Sequence, residues 1–175
     1  MPAPRRWPRL PASMTASPAL PPRSADDQAQ LTALVIDNIE RLTPFQHWLG
    51  LKVQSLAPQL VVRFDWRPEL VGHYHSGRLH GGVMAAVLDS LGGCALMMGL
   101  ADKHPSDTLA QMQHRLTRIG TIDMRVDYLR PGLGKHFVAM AEITRLGGRV
   151  GSTLMRMHND EGVLLATAAA AYIVS

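Results

Sequence analysis

Cysteine is almost missing from this sequence: Cys94 is the only one in 175 residues. One thiol excludes an intramolecular disulfide and a Cys-based zinc site, so a reducing, cytoplasmic setting is expected. Aromatic residues are scarce at 5%, and no basic helix or basic run is interleaved with them, which removes the usual signature of nucleic-acid recognition. No apolar stretch reads as a membrane span. The longest, Val83 to Leu100, is broken by Asp89, Ser90 and glycines, and suits a protein core better than lipid. The first 24 residues lack acids and glycine altogether, yet hold seven of the twelve prolines. Such a composition can neither bury a core nor sustain a helix, and predicts a disordered tail over residues 1–24.

That tail also explains the formal charge of +4. It carries Arg5, Arg6, Arg9 and Arg23 unopposed, whereas the other 14 Lys and Arg residues balance the 14 acids. The part that folds is therefore neutral and has no net field to draw it onto nucleic acid. With 46% hydrophobic and 18% charged residues, residues 25–175 have enough apolar content for one domain without metal or disulfide staples.

Leu31, Leu34, Val35 and Leu42 fall near helical spacing behind Asp26 and Asp27, which predicts a surface helix ended by Thr43 and Pro44. Two strands are expected at residues 51–57 and 59–66, then a polar loop over 67–80. Gly81 and Gly82 open a helix to about Leu100 that is apolar on nearly every side, as a helix must be if a sheet wraps it. Residues 101–119 read as a polar connection. Ile122, Met124, Val126 and Tyr128 alternate with Asp123, Arg125 and Asp127, the period of a strand. Strands follow at residues 136–145, 149–158 and 163–174, separated by Leu-Gly-Gly and Asn-Asp-Glu-Gly turns short enough for hairpins. The expected fold is α+β: an antiparallel meander curled around one long helix, with an extra helix in front.

The most informative segment runs from His80 to Asp89. Two glycines at a helix mouth let a ligand approach the backbone, and the free amides there, at the positive end of the dipole, favour developing negative charge. Such a mouth can act as an oxyanion hole. Asp89 interrupts an apolar helix, where an unpartnered carboxylate is costly, and a carboxylate poised to take a proton from water or to attack a carbonyl is one reason to keep it.

His80-Gly81-Gly82 followed by Asp89, with the Pro44–Gly50 segment and the run from Thr121 to Gly132, resembles the hotdog-fold thioesterases of the phenylacetate-pathway (PaaI-like) kind. The resemblance covers residues 45–174 and implies an acyl-CoA thioesterase active as a homodimer, with dimers able to pair further, and no cofactor. It implies that the Gly81 amide polarises the thioester carbonyl. Asp89 of the other subunit would be the base or nucleophile, His80 would hold the loop or orient the substrate, and Thr121 would position the acid or the water. Relatives often have an Asn about six residues before the His-Gly-Gly; here Tyr74 stands at that place by strict counting, with His73 beside it, and either His73 or Tyr74 takes the Asn's catalytic role. Gly82 and the Arg145 and Arg149 pair are expected to hold the substrate, the arginines by its phosphates. Met84, Met97 and Met98 are candidates to line an acyl tunnel. His73, His75 and His80 also raise a metal site, but no neighbouring acid or Cys completes it and none is expected. The alternatives are a dehydratase or hydratase relying on His80, and a non-catalytic acyl-CoA-binding protein.

Overall fold

The computed structural model describes residues 21–175; the first twenty residues of the expected tail lie outside the described residues. Arg23, near the tail's end, donates to the carbonyls of Ala101, His104 and Asp107. Ser24 then caps α1 (Ala25–Asp37), its hydroxyl accepting from the Asp27 amide, with Asp26 and Asp27 in the first turn. Leu31, Val35 and Ile39 form the buried stripe, while Leu42 of the original pattern is 60% exposed. A π turn (Asn38–Leu42) continues the helix. Pro44 does not merely end it: the proline occupies the first turn of a short helix, α2 (Pro44–Leu49), closed by Gly50 in the left-handed region at φ 75°.

Strands β1 (Lys52–Ser55) and β2 (Leu60–Asp65) follow as expected. The polar loop contains a short 3-10 turn and a two-stranded hairpin, β3 (Val71–His73) and β4 (Arg78–Leu79). Helix α3 (Gly81–Lys103) comes next, one turn longer than its apolar pattern. The expected polar connection holds a further helix, α4 (Leu109–Leu116), begun by a reciprocal capping box between Thr108 and Gln111 and anchored by the fully buried Met112. Strands β5 (Gly120–Tyr128), β6 (His136–Leu146), β7 (Val150–Asn159) and β8 (Leu164–Ile173) complete the chain.

The main sheet is six-stranded and antiparallel in the order β1-β2-β6-β7-β8-β5. Strands β6 to β8 are the expected hairpins, but β5 pairs with β8 rather than with β6. The Pro131–Gly134 segment is therefore a crossover from an edge strand to the sheet interior, not a hairpin turn. By composition alone α3 is apolar and long enough to cross a membrane; here it lies against the sheet, packed on β2 and β5 to β8. Close approach depends on glycines. A Cβ on Gly92 would collide with the Tyr172 hydroxyl and come within 2.8 Å of Thr153 Oγ1, and one on Gly151 would come within 2.6 Å of Leu96.

The two sheet edges differ. At β1 the Glu40 carboxylate accepts from the Val53 amide at 2.8 Å and pairs with Lys52 Nζ at 3.0 Å, a side chain that occupies strand-edge hydrogen bonding. Burial would raise the Glu40 carboxyl, but the Val53 amide and the Lys52 ammonium outweigh it and hold the group below the usual carboxylate range. At β5 no strand of the described residues covers the free edge, and Ile122 and Tyr128 are 58% and 52% exposed.

Gly92→Ala should lower stability by about 1–3 kcal/mol in chemical denaturation, because Tyr172 and Thr153 must move to admit a methyl group. Glu40→Gln should cost about 1 kcal/mol or less at neutral pH. Because folding depresses the Glu40 carboxyl, its contribution is complete above the unfolded-state value and is lost as pH falls through the folded one. Denaturation midpoints of the two proteins should therefore converge in acid.

Candidate active site

The helix mouth is built around His80. Its backbone is extended (φ −65°, ψ 134°), and its ring Nδ1 accepts a hydrogen bond from the Gly82 amide at 2.8 Å, making the imidazole the N-cap of α3. That bond requires a lone pair on Nδ1, so the ring proton sits on Nε2. The Val83 and Met84 amides are taken by the His80 carbonyl. Gly81 is then the residue of the first turn whose amide makes no hydrogen bond among the described residues, as the geometry of a helix start allows. The His80 amide itself donates to the Leu70 carbonyl, and a Cβ on Gly72 would lie 2.7 Å from the His80 ring. Gly72 thus gives the ring its seat. Of the two glycines expected to face substrate, Gly81 offers a free amide and Gly82 has its own engaged.

Tyr128, at the end of β5, donates its hydroxyl to the Gly81 carbonyl at 3.0 Å and lies 3.3 Å from where a Gly81 Cβ would be. It ties the mouth to the edge strand. Two turns along, the Asp89 carboxylate accepts from Thr121 Oγ1 at 2.8 Å, so the structure joins two of the residues singled out from sequence. Tyr172 donates to the backbone carbonyl of Asp89 at 3.0 Å. Burial, followed by the negative charge of Asp89, holds that phenol well above its ordinary range, which keeps it a donor. Burial likewise pushes the Cys94 thiol up to about 12, so it is no nucleophile at neutral pH.

Gly81 and Asp89 do not meet within the chain. Eight residues of helix separate them, a rise of about 12 Å. His73 is exposed on the small hairpin, its Nδ1 3.1 Å from Ser76 Oγ in the 73–77 turn. Arg145 and Arg149 lie at the other end of α3, where Lys103 Nζ donates to the Leu146 and Gly147 carbonyls. They are not brought to the Gly81 mouth of the same chain. No group of three or more His, Cys, Asp or Glu side chains gathers to hold a metal among the described residues. Tyr128 and Tyr172 were missed in the sequence; Tyr128 was visible only as a member of an alternating strand, and Tyr172 only as a residue among alanines.

The antiparallel sheet laid against one long central helix is the fold of the hotdog thioesterases. The chain belongs to the thioesterase superfamily, whose family model matches residues 76–166. Among its relatives, the medium/long-chain acyl-CoA thioesterase YigI of Escherichia coli strain K12 is 36% identical over 132 residues, covering 75% of this chain and 85% of that one. A crystal structure from Shewanella oneidensis, of a protein related to the thioesterase superfamily, aligns at 38% identity with a TM-score of 0.81, covering 85% of this chain and 97% of that one.

The capping bond separates a structural from a chemical role for His80. His80→Asn retains a capping side chain and should keep most of the enzyme's turnover and stability, whereas His80→Ala should cost about 1 kcal/mol in thermal denaturation. Should Asn abolish turnover in a protein as stable as the native one, the ring takes part in the chemistry.

Proposed function

We propose that the protein is an acyl-CoA thioesterase that works as a homodimer, each site combining Asp89 of one subunit with the Gly81 amide of the other. One observation carries this: the free amide and the hydroxyl-bound carboxylate lie about 12 Å apart on one rigid helix, too far to share a thioester carbonyl, while the strand tied to both residues has an open edge. Thr121 holds Asp89 and Tyr128 holds Gly81. Both belong to β5, so a second copy paired along that edge would bring each mouth toward the other's carboxylate. The coenzyme A thioester class is supported by the activity of YigI, a relative at 36% identity.

In this site Asp89 takes a proton from water, and the resulting hydroxide adds to the thioester carbonyl carbon. The carbonyl electron pair moves onto oxygen, where the Gly81 amide and the dipole of α3 stabilise it. Collapse breaks the C–S bond. The departing thiolate recovers the proton from Asp89, leaving free acid and CoA. Thr121 Oγ–H donates to one carboxylate oxygen, directing the other at water. Tyr172 anchors the backbone of the same residue and keeps the helix from rotating.

The test uses an unusual property of the first helical position: proline is tolerated there because its missing amide has no helical partner. Gly81→Pro should remove the oxyanion donor without unfolding α3, and Asp89→Asn should remove the base. Each should lower kcat by about 100-fold or more in a thiol-release assay. Co-expressed, the two variants should recover about a quarter of native activity, because half the dimers carry one intact site. Absence of recovery in a confirmed mixed dimer would place both groups in a single chain and sink the shared site.

A further inference from the structure

The sequence offered three methionines for an acyl tunnel, and the structure separates them. Met84 is buried at the mouth, against the backbone around Gly132. Met98 faces the turn between β1 and β2, beside a cleft whose rim carries Asp102 and Glu142. Met97 alone faces a cleft of about 260 Å³ between α1, α3 and α4, walled by Leu34, Asn38, Gln113, Leu116 and Thr117. We propose that this cleft receives the distal part of the acyl chain and that Met97 and Leu116 set the preferred chain length; the proposal rests on the thioesterase function above.

Continuity with Asp89 is the reason. Asp89, Gly93 and Met97 succeed one another at intervals of four residues along one side of α3. Gly93 puts no side chain there and all three positions are partly exposed, with the Tyr172 ring 3.7 Å from where a Gly93 Cβ would stand. At the opposite wall, Thr117 ends α4 four residues before Thr121, which holds the Asp89 carboxylate. A thioester carbonyl held at Asp89 would direct its chain along this side, past Gly93 and the Tyr172 ring, toward the cleft, about 12 Å along the helix to Met97. A short acyl group ends over Gly93; a chain of medium length or longer reaches the thioether.

The lining suits a hydrocarbon. The Asn38 amide donates only to sulfur, 3.9 Å from Cys94 Sγ and 4.0 Å from Met97 Sδ, while its oxygen is taken by Thr43 Oγ1 at 3.0 Å. Met97 is half-buried and unbranched, so it can shift to fit chains of different length. Asn38 also opens the π turn, an irregularity that recurs at functional positions in helices. The wall formed by α1 and α4 lies apart from the elements that hold Gly81 and Asp89, which suits a role in selectivity rather than in bond breaking.

Met97→Trp fills the floor of the cleft, and Thr117→Trp narrows its exposed rim without touching the core. Each should lower the ratio of kcat/KM for decanoyl-CoA to that for butyryl-CoA at least tenfold, and each should weaken decanoyl-CoA binding to the Asp89→Asn protein relative to butyryl-CoA in calorimetry. An unchanged ratio in either folded variant, or an equal loss for both substrates, overturns the proposal. If native protein hydrolyses neither thioester, the proposed activity fails, while the chain-length difference in binding still decides the role of the cleft.

Discussion

A helix cannot shorten the distance between its own residues, and that rigidity governs the site. Helix α3 holds the Gly81 amide and the Asp89 carboxylate about 12 Å apart and gives each a separate support from β5. Tyr128 fastens the first and Thr121 the second. The strand between these supports is an edge strand that no strand of the described residues covers. In the proposed homodimer a second copy reverses the order of the same groups, so that geometry of no use to the reaction within one chain serves it across two.

The position of α3 is itself set by residues without side chains. Gly92 admits the Tyr172 hydroxyl to the helix backbone, and Gly151 admits Leu96 to the sheet. Close packing of this kind fixes the helix in translation and rotation, because any slide meets the dense interior. The polar groups beside the helix are paired: Tyr172 donates to the Asp89 carbonyl, and His80 closes the helix start from its own ring. The aspartate can then face the active-site side while the rest of the helix remains apolar.

The asymmetry of the sheet edges follows the same logic. Glu40 reaches from the π turn to occupy the outer amide of β1, and the short β1 offers little else to pair with. Strand β5 is nine residues long and presents Ile122 and Tyr128 outward. A long exposed edge is a hazard unless something covers it. In the proposed homodimer an identical strand would cover it and bring the two helix mouths toward the two carboxylates.

Much of this was legible in the residue order. Period-two alternation marked β5, short glycine-bearing turns marked the hairpins of β6 to β8, and an apolar helix opened by His80-Gly81-Gly82 and interrupted by Asp89 marked the centre of the fold. These signals are local, and the chain obeys them. Helix α2 escaped notice because Pro44 serves equally to stop one helix and to start another, and α4 because its eight residues bury little beyond Met112. What tertiary structure alone decided was adjacency: β5 beside β8, Tyr128 on Gly81, Thr121 on Asp89, and Met97 rather than Met84 or Met98 at the cleft between α1, α3 and α4. Local propensity is set by neighbours a few residues apart, whereas these contacts join residues tens of positions distant, and only the packing of the whole sheet around one helix chooses among them.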